Sequence, residues 1–395
     1  MSLYNLDKIF RPASIAVVGA SETHESIGRA VMTNLIEGGY EGKLFPVNPK
    51  HDQVQGRQCH ARLADLPETP DLAVIAIPIA GVPDLIDTCV AMGVPGAVIL
   101  SAGGRAAGEA GRALEERIKE KAMAGGLRIV GPNCLGVVCP ANRINASFAA
   151  HMPPVGNLAF ISQNGAVCSA MIDLSLKENL GYRYFISIGS MLDVDFGDLV
   201  DYVGNDPEVQ SVLLYVESLS QLRKFMSAVR AVSRMKPVVV LKSGRSPQGA
   251  RAASSHTGAM VGDDRVYDAA FRRAGAVRVH TVGDFFNCAE LLAKQPRPRG
   301  PRLTILTNSG GPGVMAADAV SEYGLSLSEP GEQTLGRLDE VLPPHWSRSN
   351  PVDILGDAGA RRYVDALACI DLRETDGLLI ILNPQAMTDP CLLYT

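Results

Sequence analysis

Short valine- and isoleucine-rich runs alternate with helical patterns along almost the whole chain, and that alternation admits few architectures other than strand–helix units wound into parallel sheets. The fold class is therefore α/β. Alanine, valine, glycine and isoleucine carry the apolar load while aromatic residues make up only 5%, which suits valine-rich central strands covered by alanine-rich helices. A chain of 395 residues exceeds one ordinary core, so two or three domains are expected. The formal charge of −5 leaves no basic footprint for nucleic acid. No apolar run reaches the length of a membrane span, and residues 1–7 have no signal-peptide pattern. Eight cysteines lie scattered without a Cys-x-x-Cys pair. They read as small core residues in a reducing compartment, the cytoplasm, and no metal site is expected.

Three blocks divide the chain. The first, residues 1–150, carries expected strands at 14–18, 43–47, 72–77, 97–100 and 128–130, with helices from about 28, over 85–92 and over 114–123. Gly38 and Gly39 close the first of these helices, as glycines at helix ends commonly do. A proline-rich hinge at 153–156 leads into the second block, 151–296, with strands at 158–162, 184–188, 212–216, 238–242 and 277–280. The charged, proline-rich stretch 294–300 closes it. In the third block, 301–395, strands are expected at 303–307 and 378–382. That accounts for only part of a wound sheet, so this last domain is expected to be truncated and the chain to be a piece of a longer protein.

Two places carry chemistry. Gly19-Ala20-Ser21 follows the first strand, and Gly28 opens the next helix. Glycine allows a sharp turn and a close backbone approach to a pyrophosphate, and a helix start supplies free N–H groups. A plain tight turn would use the same residues, and the spacing is not Gly-x-Gly-x-x-Gly. The second strand runs into Asn48-Pro49-Lys50, where a nicotinamide dinucleotide would want an acidic residue for its ribose hydroxyls. Lys50 suits a ribose phosphate instead, that of NADP or the 3′-phosphate of coenzyme A, or else is a solvated surface lysine. The third and fourth strands end at Ile77-Pro78 and at Ser101, on the edge where open α/β sheets hold ligands.

In the second block, Ser162-Gln163-Asn164-Gly165 joins a strand to a helix beginning near Ala166. These residues form an anion cradle of side-chain and backbone donors, or a plain helix cap. Of seven histidines, His256 alone lies among Ser, Thr and Gly, in a stretch from 249 to 258 that reads as a long loop. An accessible histidine whose second nitrogen is oriented by another group can act as a nucleophile. Glu217, which ends the strand at 213–217, is the candidate orienting carboxylate.

The turn at Gly19-Ala20-Ser21, the Lys50 region, the string Gly131-Pro132-Asn133-Cys134-Leu135-Gly136 and the string Ser255-His256-Thr257-Gly258 together resemble the succinyl-CoA synthetase superfamily. More narrowly, the chain is similar to its nucleoside-diphosphate-forming acyl-CoA synthetases, of which the ADP-forming acetate–CoA ligases are the best-known type. The stretches 193–195, 308–313 and 350–353 share the likeness, which runs to about residue 390, whereas Ser190 stands where many members carry asparagine. The resemblance implies a Rossmann-like coenzyme-A-binding domain followed by flavodoxin-like parallel-sheet domains. It implies that Gly19, Ala20, Ser21, Gly28, Asn48, Lys50, Ile77, Pro78, Asn133 and Cys134 bind coenzyme A, Cys134 as a structural or lining residue and not a nucleophile. It further implies that His256 accepts phosphate from an acyl phosphate and passes it to a nucleoside diphosphate. Glu217 would hydrogen-bond that histidine, and Ser162, Gln163, Asn164 and Gly165 would hold the phosphoryl group.

The reaction so implied turns acyl-CoA, phosphate and ADP into acid, coenzyme A and ATP. Its nucleotide half needs an ATP-grasp domain holding ADP or ATP and Mg2+, and no region of this sequence is left for one. That domain would follow as a downstream segment or come as a separate subunit, and an oligomer is expected. A second reading is an acyl-CoA-sensing regulatory region fused to a GNAT-type lysine acetyltransferase, with which 144–148 and 181–185 share a likeness. The retained His256 favours catalysis. An NADP-dependent dehydrogenase would need a hydride-accepting site, and none is found.

Overall fold

Ser14–Val18 (β1) is buried at every position, as a strand covered by helices on both faces must be. It follows the short helix Leu6–Phe10 (α1) and leads through Ile27–Glu37 (α2) to Lys43–Val47 (β2). A small hairpin, Gln53–Val54 (β3) with Arg57–Gln58 (β4), precedes Leu72–Ile75 (β5). The helices Val82–Met92 (α3) and Glu109–Ala124 (α4) then connect Gly96–Ile99 (β6) and Arg128–Val130 (β7). The five long strands pair in parallel in the order β2-β1-β5-β6-β7. In sequence terms that is 2-1-3-4-5, a doubly wound order whose switch point falls between its first and third strands. This computed structural model describes residues 3–257 and 262–385, with the side chains of 106 and 253–257 outside the described set.

A second sheet repeats the scheme. Gly136–Cys139 (β8) and Ile144–Ser147 (β9) form an antiparallel hairpin, followed by Val155–Ser162 (β10), Gly165–Glu178 (α5), Tyr182–Ser187 (β11) and Phe196–Gly204 (α6). Next come Ser211–Val216 (β12), Leu222–Val232 (α7), Val238–Lys242 (β13), Pro247–Thr257 (α8), Asp264–Ala274 (α9), Val277–Val279 (β14) and Val282–Lys294 (α10). The order is β14-β13-β12-β10-β11-β8-β9. Its five parallel strands read 2-1-3-4-5 once more, and the hairpin adds antiparallel to β11. Residues 136–147 thus lie ahead of the hinge at 153–156 yet belong to the second sheet.

Both sheets fall within one compact unit, Met1–Gln295. The reason is a shared core: Ile15, Val74 and Val130 of the first sheet cluster with Val137, Ile161, Tyr184 and Leu214 of the second. Two polar seams reinforce it. Arg128 bonds Asp193 at 2.8 Å and Asp198 at 3.3 Å, and Lys224 of α7 reaches Asp195 at 3.2 Å as well as Asp198. At the other seam, Asp206 takes Arg11 (3.1 Å), Arg183 (3.2 Å) and the Tyr184 hydroxyl (2.7 Å). Burial alone would raise the Asp206 carboxyl, but donation from Tyr184, the Glu208 amide and Arg183 outweighs it and holds it below the usual range.

A carboxylate lowered on folding stabilises above its unfolded pKa, and that contribution is lost as pH falls through the folded value. Asp206→Asn is therefore expected to lower stability near pH 7 and to flatten the decline between about pH 4 and the acid limit. Urea unfolding across that range checks it; an unchanged acid limb would remove Asp206 from the account.

The second unit, Pro296–Thr395, begins with Arg302–Thr307 (β15) and Gly310–Glu322 (α11). Ser326–Leu327 (β16), Glu332–Val341 (α12), Val352–Asp353 (β17), Ala360–Cys369 (α13) and Gly377–Ile381 (β18) follow. β15 is central, with β16, β17 and β18 all parallel to it. Leu378, Leu379 and Ile380 of β18 are exposed, a row of apolar side chains on a strand that pairs only with β15 among the described residues. The only tryptophan, Trp346, is buried here and donates to Asp339 at 2.8 Å.

Candidate functional site

Open α/β sheets hold ligands beyond the C-terminal strand ends at the switch point, and in the first sheet that point lies between β1 and β5. A cavity of about 1070 Å³ sits there, lined from all four neighbouring strand ends. Gly19 and Ser21 come from β1, Asn48 and Lys50 from β2, Ile77 and Pro78 from β5, and Ser101 from β6. Gly28 lines it too, at the start of α2. The turn is shaped by close backbone approach: Gly19 has φ +91°, and a Cβ on Gly28 would lie 1.9 Å from the Gly19 carbonyl oxygen. Ser26 caps α2 by accepting from the Arg29 amide at 3.3 Å, and the first-turn N–H groups of a helix have no partner within it.

Asn48 fixes the second wall, its side-chain amide donating to the Ala20 carbonyl at 2.7 Å and its Oδ1 accepting from the Lys50 amide at 3.0 Å. Ala20 itself is buried behind the cavity and serves as that anchor. The cradle, the helix start and the exposed Lys50 fit a phosphate-bearing coenzyme. Arg62 and His51 also line the cavity. Both flank the β3–β4 hairpin, whose two-residue strands leave no periodic trace in the sequence.

Asn133 and Cys134 are not among the lining residues. The structure sets them at the joint between the sheets: the Pro132 carbonyl accepts from the Ser190 amide at 2.9 Å, and that of Gly131 from Leu192 at 3.1 Å. Gly189 is needed there, since its Cβ would meet the Pro132 oxygen at 2.1 Å. The Asn133 amide does reach the cavity wall, donating to the Ser101 carbonyl at 2.9 Å. Cys134 is buried and its thiol is pushed up to about 12 by desolvation, a protonated and inert state at neutral pH.

The second sheet has its switch point between β10 and β12, and there the other group of residues converges. Asn164 caps α5 by accepting from the Val167 amide at 3.1 Å, while its side-chain amide donates to Glu217 Oε1 at 3.0 Å. Gln163 Oε1 accepts from the amides of Glu217 (2.6 Å) and Ser218 (2.9 Å). Ser162 Oγ accepts from the Asn164 amide at 3.0 Å. Gly165 begins α5 with open space where a Cβ would stand. Residues 162–165 are thus both a helix cap and a mount for Glu217, which is only 7% exposed.

Lys242 went unread as a site residue. It ends β13 beside Val216, is buried, and holds Nζ 4.6 Å from the Tyr267 ring. Desolvation brings its amine down to about 8, against the pull of Asp264 and Glu217. A lysine at the end of a valine run reads as a surface charge, so its burial was not legible.

The stretch expected as a long loop is helical up to residue 257: α8 covers Pro247–Thr257. Proline in the first turn and the run Ala250-Arg251-Ala252-Ala253 favour helix, and the Ser, Thr and Gly content concealed it. The backbone of His256 lies in the last turn of α8, and its side chain lies outside the described residues, as does Gly258. Among the described residues no group of three or more His, Cys, Asp or Glu could hold a metal ion. None of their helices is long and apolar enough to cross a membrane.

Fold and site define a protein of two doubly wound sheets in one unit, with a cavity at the switch point of the first. The model of the CoA binding domain matches residues 13–140, and that of the succinyl-CoA ligase like flavodoxin domain matches 155–292. The chain is 38% identical to the alpha subunit of an ADP-forming acetate–CoA ligase (I) of Pyrococcus furiosus, over 98% of this chain and 84% of that one. An ADP-forming acetate–CoA ligase (I) of Archaeoglobus fulgidus is 40% identical over 97% of this chain and 56% of its own length. The chain thus spans about half the length of such longer relatives. A solved acetyl-coenzyme A synthetase 1 of Candidatus Korarchaeum cryptofilum, in complex with phosphate and ADP, superposes with TM-score 0.93 at 36% identity, covering 98% of this chain and 84% of that one. The chain belongs to the family of ADP-forming acetate–CoA ligases, and it is similar to alpha subunits of that family over 84% and 78% of their length. These relatives lend no support to the acetyltransferase-fused reading.

Proposed function

We propose that this chain is the coenzyme-A-binding, phosphohistidine-carrying part of an ADP-forming acyl-CoA synthetase, which interconverts acyl-CoA, phosphate and ADP with acid, coenzyme A and ATP. The observation that carries the reading is the Asn164–Glu217 bond of 3.0 Å across the switch point of the second sheet. It ties an anion-cradling helix start to a buried carboxylate of the kind that orients a histidine. Acetate and similar short-chain acids are the proposed acyl groups, after the names of the relatives.

In this reading the first cavity holds coenzyme A, with Lys50 near a phosphate and Gly19 and Gly28 letting the backbone close on it. A phosphate oxygen attacks the thioester carbonyl, the C–S bond breaks, and the thiolate leaves as coenzyme A. The unprotonated ring nitrogen of His256 then attacks phosphorus, the P–O bond to the acyl group breaks, and the carboxylate leaves. Glu217 accepts the N–H of the other ring nitrogen and stabilises the charge that builds on the imidazole. The first-turn amides of α5, with Asn164 and Gly165, hold the phosphoryl oxygens, each such helix-end interaction contributing about 0.3–1 kcal/mol. ADP and Mg2+ belong to an ATP-grasp partner, as a separate subunit or a downstream domain, which takes the phosphoryl group from His256.

Intact-protein mass spectrometry after incubation with acetyl-CoA, phosphate and Mg2+ tests this, with His256→Asn alongside. One acid-labile phosphoryl adduct is expected on the unmutated chain and none on the variant, while coenzyme A raises the melting temperature of both. An adduct that persists in the variant, or no adduct even with the ATP-grasp partner added, would overturn the assignment.

A further inference from the structure

Lined by none of the residues placed in either site, a surface groove of about 640 Å³ with an unusual charge pattern lies between α7 and α9. Among the described residues four arginines line it, Arg223, Arg230 and Arg234 along the α7 side and Arg273 on α9, and no acidic residue does. All four are exposed, and none takes part in an ion pair among the described residues. The acidic residues that could have answered them are committed elsewhere. Asp264 and Asp268 of α9 hold Arg278, Asp268 also holds Arg272, and α7 contains no Asp or Glu. In a chain of net charge −5, this is a local reversal of sign.

The groove is also partly apolar. Leu222, Met226, Ala231, Ala269 and Ala270 form its floor, and the small side chains allow close approach of another backbone. From Arg223 to Arg234 the α7 side runs about 16 Å at 1.5 Å per residue. That exceeds one phosphate or carboxylate and matches three turns of a second helix. Among the described residues no aromatic side chain lines the groove, so these offer nothing on which a base would stack, which argues against single-stranded nucleic acid. We propose that the α7–α9 groove docks an acidic amphipathic helix of a partner protein, its small apolar ridge on Met226 and the alanines and its carboxylates on the four arginines.

The test uses the full chain and a labelled peptide of about four helical turns with Leu and Ala on one face and Glu on the other, followed by fluorescence anisotropy. Comparators are a peptide of the same composition with the pattern scrambled, inorganic pyrophosphate and oligo-uridylate. Saturable binding of the patterned peptide is expected, at least about tenfold tighter than the scrambled one and weakening with salt. Arg230→Glu with Arg234→Glu is expected to cost a further factor of about ten or more, while Arg112→Glu with Arg117→Glu, on α4, leaves binding within about twofold. Arg230→Gln with Arg234→Gln supplies a gentler loss should the reversal fail to fold, and a retained coenzyme A shift certifies each variant. The proposal is overturned if the patterned peptide does not bind, if the scrambled peptide, pyrophosphate or oligo-uridylate competes equally, or if the groove variants bind as the parent does.

Discussion

Gly28→Val is expected to abolish coenzyme A binding at the proposed site while the second sheet keeps its fold. A Cβ at residue 28 would lie 1.9 Å from the Gly19 carbonyl oxygen and 2.8 Å from its carbon. Both are backbone atoms, so no side chain can swing aside. To admit valine, the start of α2 must lift from the β1 turn, and the Cβ of Gly19 is itself hemmed in by the Ala76 carbonyl at 2.6 Å. The cradle would open at the very place where, in the proposed site, backbone amides face the coenzyme's phosphates. The expected loss is at least about 100-fold in affinity, equivalent to roughly 2.8 kcal/mol. Titration calorimetry with coenzyme A measures it, and unchanged far-ultraviolet circular dichroism separates a lost site from a lost fold. Affinity within a few-fold of the parent would place the coenzyme away from this turn.

Arg128→Met is expected to have the largest effect on stability, about 3–5 kcal/mol. Arg128 opens β7 of the first sheet and reaches two carboxylates of the second half, Asp193 at 2.8 Å and Asp198 at 3.3 Å. It also donates to the Tyr4 carbonyl at 3.1 Å. The Asp198 side chain is only 2% exposed, so removing its guanidinium leaves a buried carboxylate with Lys224 as its remaining cation. Methionine fills the stem volume and neutralises nothing. Because the seam joins the two sheets of one compact unit, the loss should appear as a lower urea midpoint for that unit. Fluorescence of Trp346, in the second unit, serves as the internal reference. An unfolding free energy unchanged within about 0.5 kcal/mol would mean the shared apolar core alone holds the sheets together.

The sequence and the structure part company at definable places. Strands β1, β2, β7 and β13 were readable to the residue, because a buried parallel strand is a short apolar run bounded by turn residues and nothing distant is needed to see it. The turn at 19–21, Gly28, Asn48 and the Ser162–Gly165 cap were readable for the same local reason. Each residue type is required by its own backbone geometry or by the next helix start. The hairpin β8–β9 was not readable as part of the second sheet, since its register is set by Phe185 and Ile186 of β11, some fifty residues on. The helix α8 hid behind its serines, and Lys242 hid behind the general exposure of lysine.

Local pattern therefore determined the units of this protein: its α/β class, its strand–helix alternation, and the glycine, asparagine and serine positions at its strand-to-helix turns. What only the tertiary structure decided is which units became neighbours. The order 2-1-3-4-5, adopted twice in Met1–Gln295, brings residues 19–28 to 48–50, 77–78 and 101 in one sheet and 162–165 to 217 in the other. That order follows from burying both faces of each strand against non-consecutive partners, a condition that spans the chain and leaves no mark on any single stretch of it.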